Sequence, residues 1–328
     1  MVEPNPAFRK ILLASNPAAG PRRRHRGLAR SVTDFLTRRG AAVDAITLDS
    51  GDFPAGRVAD FDAVLICGGD GTINQVLQIL VRNGSRVPVG IIPVGSGNLF
   101  ATSLGVPHHP LKAAAALLDG TPTLASLGTI EPAVESCGAN GRRYWMAAAG
   151  IGADARVICG VKPGLKARLG MGAYYAEAVR QLCSPALELP WFRAEFTDQQ
   201  GIRRSELVTQ VVAERITYFG RAAERAPAAL QNDEMRVLLL KAATRWPYLR
   251  FGAALVASQA ALPGMAGSRI ESVVARSLSC IPLASANGHP APEVLAEVDG
   301  ELIGAAPVRL GVQPQAATII IPAKSRGM

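Results

Sequence analysis

Aromatic residues make up only 5% of the chain, and the basic residues are not interleaved with them. That scarcity removes the base-stacking platforms on which single-strand nucleic-acid binders rely. Long apolar runs are missing too: nothing reaches the roughly 18 to 20 uninterrupted residues that a membrane span requires. The longest candidate, Phe251 to Leu262, holds Ser258 and Gln259 and reads as a core helix. The five cysteines (Cys67, Cys137, Cys159, Cys183, Cys280) are odd in number and widely spaced. Such spacing argues against a disulfide framework and a thiolate metal site, and suits thiols in a reducing cytoplasm. The start, Met1 to Pro6, has no apolar signal segment, in keeping with a cytoplasmic location. Charge is sparse, 19% against 48% hydrophobic residues, which is a globular composition and not a disordered one.

The chain does have length and positive charge. Its 328 residues exceed one ordinary core, so two domains are expected. A net charge of +9 suits an anionic partner: a nucleotide, an acidic membrane surface or nucleic acid. The shortage of aromatics makes nucleic acid the weakest of these.

One junction carries most of the information. A strand-like run, Ala63 to Cys67, feeds into Gly68-Gly69-Asp70-Gly71-Thr72-Ile73-Asn74, and a helical pattern begins at once. Three glycines let the backbone turn sharply and bring N–H groups near an anion, while the helix N-terminus adds its positive dipole. Thr72 and Asn74 supply short polar side chains for phosphate oxygens or for capping. Asp70 would repel phosphate unless a divalent cation sits between them, as magnesium does in nucleotide sites. A glycine-rich turn that merely contains Asp is the structural alternative.

Strand and helix alternate through the first part. Lys10 to Ser15 ends in the turn Asn16-Pro17-Ala18-Ala19-Gly20. Leu28, Val32, Phe35 and Leu36 recur at helical spacing, with Gly40 placed as a C-terminal cap. Ala42 to Leu48 and Ala63 to Cys67 read as the next strands. Ile73, Val76, Leu77 and Leu80 form an apolar stripe closed by Asn83-Gly84, and Val87 to Pro93 is a buried strand before Val94-Gly95-Ser96-Gly97-Asn98. This alternation predicts a parallel sheet whose turns at Asn16, Gly68 and Gly95 open onto one carboxyl-end edge. From about Ser126, period-two runs take over: Tyr144 to Ala147, Trp191 to Phe196, Glu206 to Ala213, Met235 to Leu240 and Arg269 to Leu278. They predict an antiparallel sandwich, interrupted by helical segments at Leu165 to Leu182 and Arg245 to Leu262. Cys280 to Pro292 reads as a surface loop, and Thr318 to Pro322 as a strand returning to the first domain. The expected division is 1–125 for an α/β nucleotide domain, 126–307 for the sandwich and 308–328 for the tail.

These residues resemble the diacylglycerol kinase catalytic family, which includes sphingosine kinases and bacterial lipid kinases. Asn16 to Gly20 is similar to its first nucleotide turn and Gly68 to Asn74 to its signature. Pro93 to Asn98 resembles its second glycine loop, with Ser96 where Thr is usual. Ala149-Gly150-Ile151-Gly152-Ala153-Asp154-Ala155, Lys166 to Tyr174, and Val298-Asp299-Gly300-Glu301 resemble its later motifs. The resemblance implies ATP bound between an α/β domain and a β-sandwich, and transfer of its γ-phosphoryl group to a lipid hydroxyl. It implies phosphate contacts from the backbone of Gly68, Gly69, Gly71 and Gly97 and from Thr72, Asn74 and Ser96. Asn16 and Thr47 fall at nucleotide-contacting positions, and Asp70 is implied to help hold the catalytic Mg2+.

Phosphoryl transfer asks a protein for positioning, charge neutralisation and a proton acceptor. Asp299 and Glu301 supply two carboxylates, which an extended segment would face to one side; an ordinary Asp-Gly turn is the alternative. The resemblance places both at the active site with their roles undivided. It also implies a structural metal held by Asp233 and the carbonyls of Leu230 and Met235, against the alternative of an ordinary polar loop. Departures cluster in or beside the second domain: Glu234 replaces Gly, Gly220-Arg221-Ala222 a glycine triplet, Glu214 Asn, and Ser126 Asp, while Leu99 replaces Asp after the second glycine loop. The expected partners are ATP and a lipid acceptor at the inner membrane face, without nucleic acid. Arg22 to Arg26, Lys162 to Arg168 and Trp246 to Phe251 are candidate membrane contacts. An NAD kinase-like enzyme and a catalytically silent nucleotide- or lipid-binding module are the alternative functions.

Overall fold

The computed structural model describes residues 8–17, 19, 27–48, 53–95, 97–132, 141–162, 164–165, 172–184, 187–215, 230–250, 269–284 and 293–323. Ser96, Cys137, the arginine-rich stretch 22–26, and residues 166–171, 220–222, 226–229 and 251–262 lie outside them. The chain divides into two compact units. Met1–Leu127, Ala222–Gln231 and Pro314–Met328 form the first; Gly128–Arg221 and Asn232–Gln313 form the second.

In the first unit β1 (Lys10–Ser15), β2 (Ala42–Thr47), β3 (Ala63–Gly68) and β4 (Pro88–Pro93) run parallel in the order β2-β1-β3-β4. Thr318 and Ile319 extend the sheet beside Pro88 and Val89, as the apolar tail led one to expect. Every residue of β3 is buried, the signature of a strand covered on both faces. The helices are α1 (Leu28–Arg38), α2 (Asp70–Arg82), α3 (Leu99–Ser103) and α4 (Pro110–Leu118). The apolar stripe of α2 is fully inside: Ile73, Val76, Leu77 and Leu80 are at most 2% exposed. Gly40 ends α1 at φ 88°, with Ala41 N–H on the Leu36 carbonyl and Gly40 N–H on that of Thr37. That is a Schellman cap, and its left-handed position is why glycine stands there.

The second unit holds two antiparallel sheets over one core. The first sheet contains β7 (Ala148–Gly152), β10 (Gln210–Glu214), β11 (Met235–Leu240), β12 (Ile270–Ala275), β14 (Leu295–Val298) and β15 (Glu301–Ala305), in the order β12-β11-β10-β7-β14-β15. The second pairs β9 (Arg203–Val208), β8 (Phe192–Thr197) and β13 (Ser277–Pro282) with Val308 to Gly311 of β16 (Val308–Ile321). Phe192, Phe196, Leu278 and Leu310 from one sheet meet Ile151, Val211, Val237 and Val298 from the other. Burying each such side chain contributes about 1.5–3 kcal/mol. Between β5 (Thr121–Pro132) and β6 (Arg143–Trp145), Gly128 sits opposite Trp145, and a Cβ on Gly128 would lie 2.0 Å from the indole. Helices α5 (Ala153–Gly160) and α6 (Gly172–Cys183) follow β7.

Three expectations need correcting. The run Glu206 to Ala213 is two strands in different sheets, broken at Thr209, whose hydroxyl donates to the Leu240 carbonyl and accepts from Tyr248. Arg269 to Leu278 likewise breaks at Arg276 between β12 and β13. At both corners the core-facing positions shift by one residue, Val208 being followed by Val211 and Ala275 by Leu278, so that each half still turns its apolar side to the same core. The proposed loop at Cys280 begins too early: Cys280 to Pro282 belong to β13, and Cys280 is completely buried. Cys67, Cys159, Cys183 and Cys280 are all free thiols.

Candidate active site

Parallel registry sets up the candidate phosphate edge of the first unit. Ser15 pairs with Thr47 and Cys67, and Gly68 with Pro93, so the carboxyl ends of all four strands reach one edge. The strand order reverses between β1 and β3, the crevice where open α/β sheets bind ligands. Asn16 occupies this point. Its backbone N–H donates to the Cys67 carbonyl at 3.0 Å and its Nδ2 to Thr72 Oγ1 at 3.1 Å. Thr47 is exposed at the end of β2 on the same edge.

The two glycine loops meet backbone to backbone. A Cβ on Gly69 would lie 3.1 Å from Gly95 Cα, and one on Gly95 2.6 Å from Gly69 Cα. Gly68 leaves room for Thr72, whose own Cβ would be 2.6 Å from a methyl there. Gly71 is exposed in the first turn of α2, where N–H groups lack partners within the helix. Gly97 is half-buried in the second loop. Asn74 is buried and its Oδ1 accepts from Gln78 at 2.8 Å, an engagement that the motif alone does not reveal.

Asp70 has a role that the sequence reading missed. Its two carboxylate oxygens accept the backbone N–H groups of Leu99 (3.1 Å) and Phe100 (3.0 Å), so it caps α3 from the other loop. Burial raises its pKa, against the lowering effect of these amides. Asn98, left out of the expected site set, sits in a left-handed conformation at φ 51° and donates to the Gly95 carbonyl at 2.7 Å. Its Oδ1 is buried with no hydrogen-bond partner among the described residues. A carboxylate and an orphaned amide oxygen are hard donors that fit magnesium, with water and substrate phosphates completing its shell.

The second unit carries the other candidate residues, Asp299 and Glu301. Asp299 and Gly300 have φ of 48° and 82° and form the two-residue turn between β14 and β15. The extended geometry expected for this segment is therefore wrong: an Asp-Gly pair tolerates two left-handed positions, and the hairpin uses them. The Asp299 carboxylate accepts the N–H groups of Met146 (2.8 Å), Ala147 (2.8 Å) and Ala148 (3.2 Å). Glu301 begins β15 half-exposed, with Arg143 Nη1 at 3.8 Å.

The residues expected to hold a structural metal fall in both units. Leu230 falls in the first unit, Asp233 and Met235 in the second. There the guanidinium of Arg215 donates to the carbonyls of Asn232 and Glu234, so the chain's own cation already serves this loop. Burial lowers the Arg215 pKa to about 10, opposed by the charge of Asp233. Beside it, Glu214 is 2% exposed with neither oxygen hydrogen-bonded among the described residues, and burial raises its pKa to about 7.

A parallel sheet whose glycine turns share one carboxyl edge, together with an antiparallel sandwich, defines the class: a two-unit α/β fold. Residues 10–130 match the family model of the diacylglycerol kinase catalytic domain. A diacylglycerol kinase of Bacillus subtilis is 32% identical over 195 residues, 58% of this chain and 59% of its own. One from Mycobacterium tuberculosis is 33% identical over 138 residues, 35% of this chain and 44% of its own. The chain thus spans about half the length of the curated relatives it matches. A crystal structure of a diacylglycerol kinase from Bacillus anthracis has a TM-score of 0.65 at 16% identity, covering 96% of this chain and 97% of that one. That likeness shows the fold.

Proposed function

We propose that this protein is a lipid kinase that transfers the γ-phosphoryl group of ATP to a lipid hydroxyl. The observation that carries this reading is the closed contact of the Gly69 and Gly95 loops, locked by Asp70, at the switch point of a parallel sheet. Gly68, Gly69, Gly71 and Gly97 bring backbone amides to the phosphates, with Asn16 and Thr72 beside them. Magnesium, held by Asp70 and the Asn98 oxygen with water, supplies charge neutralisation when bound. Asp299 fixes the acceptor's position through a carboxylate that three amides hold still, and the Asp299–Glu301 pair takes the hydroxyl proton. The relatives named diacylglycerol kinase support diacylglycerol as the first acceptor to try.

Among the described residues no helix is long and apolar enough to cross a membrane. Contact with an acidic lipid surface fits Trp246, 73% exposed, and Leu249, 42% exposed, flanked by Arg245 and Arg250. The corresponding location is the cytoplasmic face. Sedimentation with anionic liposomes at low salt tests it; a chain that stays in solution removes it.

A second reading, nucleotide binding without turnover, is favoured by Asp299, whose carboxylate is already engaged by three backbone N–H groups. The deciding experiment incubates the protein with labelled ATP and magnesium against diacylglycerol and, separately, NAD. Labelled phosphatidic acid that disappears in Asp70→Ala supports the lipid kinase. Labelled NADP supports an NAD kinase-like enzyme, and ATP binding without any product supports the silent module.

A further inference from the structure

Two carboxyl groups lie directly behind the Asp299–Gly300 turn, Glu297 buried and Asp154 half-buried, and the proposed reaction does not use them. Asp154 opens α5 and Glu297 lies on β14, opposite Gly150 of β7. Both side chains converge over Gly150: a Cβ added there would stand 2.5 Å from Asp154 Oδ2 and 2.7 Å from Glu297 Oε1. Only a glycine leaves the two acids their space. Glu297 is 3% exposed, and its other oxygen, Oε2, accepts the N–H of Gly300 at 2.9 Å. One end of this side chain therefore meets a second acid, and the other holds the turn that presents Asp299.

Two ionised carboxylates so placed repel strongly, whereas one proton between them turns repulsion into attraction. The charged groups around Glu297 offer no relief. On the turn and β15 stand Asp299 and Glu301. On α5, which packs against β14, β15 and β10, the cation is Arg156, and its guanidinium donates to the Glu293 carbonyl. Glu214 on β10 is another acid, facing Arg236 across the sheet. On α6, which packs on α5, Glu177 is paired with Arg180, and Tyr174 lies near Gly300. Burial, with Asp154 next, pushes the Glu297 acid well above the usual carboxylate range, and burial pushes Asp154 to about 6.

We propose that Glu297 is a positioning residue: it shares one proton with Asp154 over Gly150 and, through the Gly300 N–H, fixes the Asp299–Gly300 turn. The proton sets whether the turn is held. With one proton in the pair the hairpin is rigid; with both groups ionised, Glu297 is driven from Asp154 and the Gly300 bond loosens. This inference rests on the lipid-kinase reading for its catalytic consequence, but the proton itself is detectable without turnover.

The test compares the wild type with Glu297→Gln, which copies the protonated acid, and Glu297→Ala. The thermal midpoint is followed from pH 5 to pH 8, and phosphoryl transfer to diacylglycerol over the same range. The wild type is expected to lose thermal stability as pH rises through the pair's ionisation, and Glu297→Gln to lose less. In transfer, Glu297→Gln is expected to keep near-wild-type turnover while its fall at high pH diminishes. Glu297→Ala is expected to lose on the order of 100-fold in kcat with KM for ATP unchanged, as a displaced reacting group does. Parallel stability profiles of wild type and Glu297→Gln would overturn the shared proton. Equal kcat for Glu297→Ala and wild type would overturn the positioning role. A wild type without transfer activity would count against the kinase reading alone, since the stability profiles still decide the proton.

Discussion

Gly69 and Gly95 touch through their backbones: a Cβ on Gly95 would stand 2.6 Å from Gly69 Cα. Two loops far apart in sequence thereby close one edge of the sheet, and Asp70 fastens the closure by capping α3. Packing of this kind leaves no side chain to trim, because the obstacle is main chain.

Gly95→Ala should therefore part the loops. We expect ATP affinity to fall at least about tenfold and stability to drop by about 1–3 kcal/mol, the usual cost of overpacking. Isothermal titration with ATP and urea unfolding would measure both. Gly56→Ala, where an added Cβ meets nothing within 4 Å, serves as the control and should change neither.

Gly128→Ala is expected to be the more damaging glycine substitution for folding. The new methyl would lie 2.0 Å from a fully buried Trp145 ring, so the indole must leave its place. A loss of about 3 kcal/mol or more is expected in denaturant unfolding. A shift below about 1 kcal/mol would show that β5 and β6 separate easily.

Glu214 gives the molecule a stability that depends on pH. Its folded-state pKa, about 7, lies above the ordinary 4.5, so the folded chain favours the protonated acid. The contribution is fully present below pH 4.5 and is lost as pH rises from there through 7. It amounts to roughly 2–3 kcal/mol. Glu214→Gln should flatten this part of the stability–pH curve. An unchanged slope in the variant would mean that Glu214 is ionised throughout.

Arg215 ties two carbonyls of the 230–235 loop, those of Asn232 and Glu234, without a metal. Chelation with EDTA should leave the thermal midpoint unchanged. Arg215→Ala should lower stability by about 1–2 kcal/mol, since two part-buried carbonyls lose their charged donor. A midpoint that falls on chelation would restore the metal.

The first unit was legible because its signals are local. Gly40 and Asn83-Gly84 close helices where left-handed residues are needed, and Ile73 to Leu80 repeats at helical spacing. Strand corners were not legible, because neither Thr209 nor Arg276 stands beside a glycine or proline, and the only mark of each corner is a one-residue shift of the core-facing positions. Asp70 was read for its charge; its bonds to Leu99 and Phe100 depend on two loops 29 and 30 residues apart in sequence. Glu297 carried no motif signal at all. Its meaning comes from Gly150 and Asp154, which only the pairing of β7 with β14 brings beside it.

The most direct test of the lipid-kinase reading is transfer of labelled γ-phosphate from ATP and magnesium to a panel of lipids. Wild-type protein is measured beside a folded Asp299→Asn variant, which retains the turn residue but not its charge. The account predicts one labelled lipid class with the wild type and a loss of about 100-fold or more in the variant. ATP binding without label in any lipid, or equal labelling by both proteins, would contradict it.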